Sequence, residues 1–234
     1  MHIVFLPGLD GSGLFFENFR KTLPSSMTTQ VLSYPRDECH TYQETVDLIY
    51  EQLPRDNEYF IVAESFSGPV AIEIASLAPL KLKGLALVSS FCFSPLNQLK
   101  KQLAQNLLFL LHFPSSQALI HKVLCNGTDL ALSLKIKRVV DALPTSTLKQ
   151  RILSALNVDL RGALDDVEVP LLILQGGQDR LLDPSCGVTI KRYYEAAEFV
   201  QIDGPHCLLQ CEPEASSKVI VPFIEKHHSS LSVL

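Results

Sequence analysis

The sequence predicts an α/β protein built on a mostly parallel, six-stranded sheet with helices on both faces. Three observations carry that expectation. Short apolar runs bounded by Gly, Pro or Ser recur along the chain, as in strands buried on both faces. Stretches of helical length and pattern lie between them, and this alternation builds βαβ units and therefore parallel pairing. The chain has 234 residues, 47% hydrophobic and 19% charged, enough for one full core.

In chain order, the expected strands are 2–6 (HIVFL), 29–33 (TQVLS), 59–63 (YFIVA), 84–89 (GLALVS), 171–175 (LLILQ) and 198–203 (EFVQID). Helical patterns cover 13–22, 41–53, 66–78, 185–196 and 207–227. The alternation breaks once. From about Phe93 to Asp166 only helical patterns occur, over 97–112, 117–124, 129–142 and 146–156. An all-helical insertion after the fourth strand reads as a lid. The expected organisation is a core of residues 1–92 and 167–234 carrying a helical cap of residues 93–166.

Composition removes several function classes. A formal charge of −5, with no run of Lys and Arg beyond Lys100-Lys101 and Lys135, Lys137, Arg138, gives no concentrated basic face for nucleic acid. The six cysteines are scattered without a CxxC pair, so neither a metal site nor a disulfide framework is expected. No apolar run reaches the roughly 18–20 residues of a membrane span. Met1-His2 leads straight into an apolar strand without a basic leader region, the pattern of a cytoplasmic protein with reduced thiols.

The third strand runs into Ala63-Glu64-Ser65-Phe66-Ser67-Gly68, and a helix follows at once. A serine between strand and helix must turn sharply, which requires small residues two before and two after it. Ala63 and Ser67 meet that need, giving a relaxed G-x-S-x-G elbow that lifts Ser65 above the carboxyl edge of the sheet. The Phe66 N–H then sits at a helix N-terminus, aimed at negative charge developing beside Ser65. Serine is also a common helix N-cap, so the elbow alone leaves an ordinary cap open.

The first strand runs into Pro7-Gly8-Leu9-Asp10-Gly11-Ser12-Gly13. A glycine-dense turn exposes backbone N–H groups, and in a hydrolase the Leu9 N–H is the second oxyanion donor. The glycines fall as G-x-x-G-x-G with no following Walker lysine, which disfavours a nucleotide loop. Asp10 reads as a turn former. After the fifth strand, Gly176-Gly177-Gln178-Asp179 brings an acid to the same edge, while Asp183 before Pro184 reads as a helix cap. After the sixth, Asp203-Gly204-Pro205-His206 brings an imidazole there. A neutral histidine can accept the serine proton and return it, with Asp179 holding its tautomer. Singly, each residue has an ordinary reading. Together, in the order Ser…Asp…His, they point to nucleophilic catalysis.

Through LPGLDGSG and AESFSGP the chain resembles the α/β-hydrolase superfamily over nearly its whole length, and small bacterial carboxylesterase-like hydrolases with a helical cap most closely. The resemblance implies a triad of Ser65, Asp179 and His206, oxyanion donors at Leu9 and Phe66, and a cap over the active site. It implies no metal and no organic cofactor. Pro7-Gly8 stands where His-Gly is common in this loop, and the usual leading antiparallel strands have no counterpart. The expected sheet order is therefore 2-1-3-4-5-6, with an edge that a partner subunit would cover in a homodimer and that stays open in a monomer.

The expected substrate is a small carboxylic ester of short to medium chain. Thioesters of coenzyme A or of acyl-carrier protein come next, with a pimeloyl-carrier methyl ester as one specific case. Lyase or carbon–carbon hydrolase chemistry, and a non-catalytic ligand-binding role, are the alternatives from other classes. Leu103, Leu107, Leu110, Leu111 and Phe113 form an apolar stripe that either lines a pocket or packs the cap on the body.

Overall fold

The computed structural model describes residues 1–106 and 116–229. Six strands, β1 (His2–Leu6), β2 (Thr28–Val31), β3 (Tyr59–Glu64), β4 (Leu82–Val88), β5 (Leu171–Gly176) and β6 (Glu198–Ile202), form one sheet. All five pairings are parallel and the order is β2-β1-β3-β4-β5-β6, as expected from the sequence. The order reverses between β1 and β3. A crevice therefore opens beyond their carboxyl ends, where ligands bind in sheets of this kind.

Strand periodicity sorts the core into two layers. Val4, Leu6, Ile61, Ala63, Leu85 and Leu87 face one side with helices α2 (Tyr42–Gln52), α3 (Ser67–Ser76) and α8 (Ser185–Tyr193). Ile3, Phe5, Phe60, Val62, Ala86 and Val88 face the other, against α1 (Glu17–Arg20), α9 (Leu208–Cys211) and α10 (Pro213–Ser229). Neighbours in sequence thus point to opposite faces, and both faces are buried. Helix α2 starts with a capping box, in which Thr41 and Glu44 each accept from the other's backbone N–H.

Two helices differ from the sequence expectation. The pattern over 13–22 yields only the single turn of α1, because Gly13 is held at φ +67 and the chain stays in turns through Phe16. A Cβ at Gly13 would also lie 2.3 Å from Val31. The pattern over 207–227 divides at Glu212 into α9 and α10. Pro213 opens the second helix, where its missing N–H costs nothing.

Between β4 and β5 lie α4 (Gln98–Asn106), α5 (Gln117–Leu124), α6 (Leu130–Asp141), α7 (Thr145–Asn157) and a 3-10 turn over Ala163–Asp166. Among the described residues of this segment there is no strand, only an isolated antiparallel bridge between Phe93 and Asp159. The end of the 97–112 pattern, with Leu107, Leu110, Leu111 and Phe113, lies outside the described residues. Leu103, the remaining member of that stripe, is 59% exposed. Among the described residues, no helix is long and apolar enough to cross a membrane.

Phe5 anchors the second layer, fully buried, with its ring centroid 5.0 Å from Phe16 and 5.9 Å from Phe19. Phe5→Ala should lower the unfolding free energy by about 3–5 kcal/mol, read as a lower urea midpoint at unchanged slope.

Candidate active site

The β3–α3 junction shows why the sequence turns where it does. Ser65 adopts left-handed backbone at φ 51°, uncommon for a residue with a Cβ. Its N–H donates to Val88 O at 2.9 Å, and its carbonyl accepts from the Ser90 hydroxyl at 2.6 Å and from Gly68 N–H at 3.1 Å. The tightest steric demand falls one residue beyond the elbow expected from sequence. A Cβ at Gly68 would lie 1.8 Å from Ser90 Oγ, so only glycine lets α3 pack against the end of β4.

Ser67 does more than stay small. Its hydroxyl donates to Pro7 O and therefore accepts from the Tyr34 hydroxyl, tying the end of β1 to the start of α3. Phe66 stacks on Tyr42 at 4.7 Å, and its carbonyl accepts from the Tyr42 hydroxyl at 3.1 Å. These contacts immobilise the backbone on either side of the serine.

The three side chains singled out from three chain segments meet here. His206 Nε2 lies 3.0 Å from Ser65 Oγ, and His206 Nδ1 lies 2.7 Å from Asp179 Oδ2. The Asp179 side chain is fully buried, and its Oδ1 accepts from the N–H groups of Leu181 and Leu182 at 2.8 and 2.9 Å. Both carboxylate oxygens are thereby engaged, which fixes the face it presents to the imidazole. Asp183 instead accepts from Ser185 N–H at the start of α8, at 2.9 Å, as a helix cap. Asp10 accepts from both the N–H and the hydroxyl of Ser12, as a turn former. The backbone N–H groups of Leu9 and Phe66 donate to no other group among the described residues.

Two clefts meet at Ser65. One is almost wholly apolar, walled by Phe66, Phe91, Leu96, Ile152, Leu156 and Leu182. The other combines Phe15, Ile136, Val140 and Leu124 with Glu64, His206 and Gln210. Glu64 was not anticipated as a site residue. Its signal in the sequence was a single carboxylate ending an otherwise apolar strand. It is 7% exposed, and Oε2 accepts from Gln210 Nε2 at 3.0 Å. Burial pushes its carboxyl up from 4.5 to about 7, against smaller lowering effects of the Gln210 amide and His206. Burial likewise raises Asp10, while the Ser12 hydrogen bonds and Arg151 oppose the shift.

Arg151, on α7, was also missed. It is 5% exposed and donates Nη1 to Leu9 O and Asp10 O at 2.9 and 2.8 Å, and Nη2 to Pro35 O at 3.0 Å. No signal in the sequence marks it, because its acceptors are backbone carbonyls common to every residue.

Six parallel strands in this order, with a serine, a histidine and an aspartate hydrogen-bonded at their carboxyl edge, define the protein as an α/β hydrolase. The chain belongs to the family of hydrolases described as Hydrolase_4 (serine aminopeptidase, S33), whose model matches residues 36–201. A curated relative, the pimeloyl-[acyl-carrier protein] methyl ester esterase of Neisseria meningitidis, is 23% identical over 95% of this chain and 93% of its own length. Among solved structures, a hydrolase from Oleispira antarctica superposes with a TM-score of 0.83 at 14% identity, over 96% of this chain and 90% of its own. The enol-lactonase of Burkholderia xenovorans gives 0.80 at 15% identity, over 96% and 91%. At such identities the structural likeness is one of fold.

The raised Glu64 carboxyl has a signed consequence for stability. Below about pH 4.5 it is protonated whether the chain is folded or not. As pH rises through about 7, the unfolded chain ionises it first and the folded state loses relative stability. Glu64→Gln should remove this loss and exceed the wild type by up to about 3 kcal/mol at pH 8, with the gap closing toward pH 4. Urea melts across that range read the effect, and parallel pH profiles of the two proteins would refute it.

Proposed function

We propose that this protein is a serine esterase that cleaves a carboxylic ester through an acyl-enzyme, with Ser65 as nucleophile, His206 as base and Asp179 as orienting acid. The observation that supports it most directly is the continuous hydrogen-bond chain from Ser65 through His206 to Asp179. Attack of Ser65 Oγ on the ester carbonyl sends the hydroxyl proton to His206 Nε2. Asp179 stabilises the resulting imidazolium through Nδ1. The oxyanion is held by the Leu9 and Phe66 N–H groups, the second at the start of α3. Collapse expels the alcohol, which takes the proton from Nε2, and water repeats the sequence on the acyl-enzyme. Every step uses this chain's own groups and water.

Residues 93–166 serve in this reading as a cap on a core of 1–92 and 167–234, supported by the contribution of α6 to the mixed cleft and of α7 to the apolar one. The apolar cleft suits an acyl chain and the mixed cleft the other arm of the ester. An aminopeptidase would need a charged carboxylate for its substrate's ammonium group. The two carboxyls of the mixed cleft are instead engaged within the protein, Glu64 by Gln210 and Asp10 by Ser12, which favours an uncharged ester over a peptide N-terminus. The curated relative's name adds a carrier-bound methyl ester as the particular substrate to try beside free esters.

The test is turnover of p-nitrophenyl esters from acetate to palmitate, and of a pimeloyl-carrier methyl ester, by wild type, Ser65→Ala and Asp179→Asn. Wild type should turn over repeatedly, with an optimum that sizes the apolar cleft. Ser65→Ala should lose several orders of magnitude, and Asp179→Asn about 10⁴-fold in kcat. Undiminished turnover by Ser65→Ala would eliminate the mechanism.

A further inference from the structure

Leu9 can act as an oxyanion donor only if the peptides around it are held in one orientation. Five consecutive carbonyls of this loop, Pro7 to Gly11, each accept a hydrogen bond. Pro7 O accepts from Ser67, Gly8 O from Gly11 N–H at 3.0 Å and Gly11 O from Tyr34 N–H at 2.8 Å. The two remaining, Leu9 O and Asp10 O, accept among the described residues from one group alone, the Arg151 guanidinium. These are the carbonyls directly after the Leu9 donor, and the same side chain reaches the loop after β2 through Pro35 O.

Arg151 is built into this place. No carboxylate lies within salt-bridge distance of it among the described residues. Its charge is met instead by three carbonyls and by the face of Tyr34, 5.6 Å from the guanidinium carbon to the ring centroid. Gly11, at φ +70, leaves the space for it, since a Cβ there would lie 2.5 Å from Nη1. A buried cation with no carboxylate in direct contact, only the nearby charge of Asp10, is a costly way merely to pack a helix, because an apolar side chain would do so without desolvating a charge.

We propose that Arg151 is a positioning residue for the esterase reaction, its guanidinium fork holding the Leu9 and Asp10 peptides so that the Leu9 N–H faces the oxyanion. The inference rests on the esterase reading and on Leu9 as a donor. It makes oxyanion stabilisation depend on the docking of α7 against the β1 loop. The planar fork matters because it serves three carbonyls in fixed directions, which a lysine ammonium does not reproduce.

The experiment compares wild type, Arg151→Lys and Arg151→Ala, each verified as folded by circular dichroism and thermal melting. Read out are kcat and KM on the best p-nitrophenyl ester and the rate of Ser65 labelling by a fluorophosphonate. Losing one oxyanion donor outright costs about 10²–10³ in kcat, so a loosened donor should lower kcat and the labelling rate about 10–100-fold, with KM nearly unchanged. Millimolar guanidinium should restore part of the rate to Arg151→Ala without raising its melting temperature. Folded variants with wild-type kcat and labelling would overturn the inference, as would a loss confined to KM. If Arg151→Ala does not fold, Arg151→Lys decides by the same criteria of kcat and labelling. A wild type that neither labels nor turns over any ester would defeat the esterase reading itself and this inference with it.

Discussion

A serine can stand above the carboxyl edge of a sheet only if the chain reverses from strand to helix within one residue, and here that residue is Ser65, in left-handed backbone. Such a conformation costs a residue with a Cβ about 1–2 kcal/mol, so it must be imposed by its surroundings. The constraint comes from three sides: Val88 O on the Ser65 N–H, Ser90 on its carbonyl, and the close packing of Gly68 on Ser90. The rest of the site follows. The turn sets the Phe66 N–H at the start of α3 and brings Ser67 within reach of Pro7 O. It also puts Ser65 Oγ at hydrogen-bonding distance from an imidazole 141 residues away.

Much of the polar burial lies at this one edge. Glu64, Ser67, Ser89, Ser90, Arg151, His206 and Gln210 are all buried there or beside it, whereas both faces of the sheet are lined by aliphatic and aromatic side chains. Buried polar groups are tolerated where hydrogen bonds satisfy them. Ser67, Ser90, Arg151 and His206 meet that condition through side chains and loop carbonyls, whereas Glu64 Oε1, Ser89 Oγ and Gln210 Oε1 have no partner among the described residues. This polar edge contrasts with the largely aliphatic and aromatic walls that α6 and α7 add to the two clefts beside Ser65.

What the sequence made legible follows the same division. The inner strands β1, β3, β4 and β5 could be read because a strand buried on both faces needs a nearly continuous apolar run, whereas the sheet order followed from the resemblance to α/β hydrolases. Ser65, Asp179 and His206 could be read because reactive side chains at strand ends are chemically distinctive. The first helix was overestimated because its apolar spacing was helical, while Gly13 and the tight fit on Val31 held the chain in turns. The break at Pro213 was visible as a proline, but a proline at the start of a helix and one within it look alike in sequence. Pro222, inside α10, is the example within this chain. Glu64 and Arg151 escaped for a different reason. The first depends on how far burial moves a carboxyl, the second on which carbonyls lie opposite a guanidinium, and neither is a local property of the chain.

The guanidinium that closes the β1 loop is encoded 142 residues after the first carbonyl it grips. The imidazole facing Ser65 comes later still, on the far side of β6. A chain emerging from its amino end therefore completes β1, β3 and the serine turn long before either group exists. Contacts of such sequence separation form late, after the entropy of closing large loops has been met. The centre is thus competent only once contacts of this separation have closed. A half-made chain carries a strained serine turn but no partner to deprotonate it and no fork to shape its anion cradle, so reactivity is acquired only when the fold is whole.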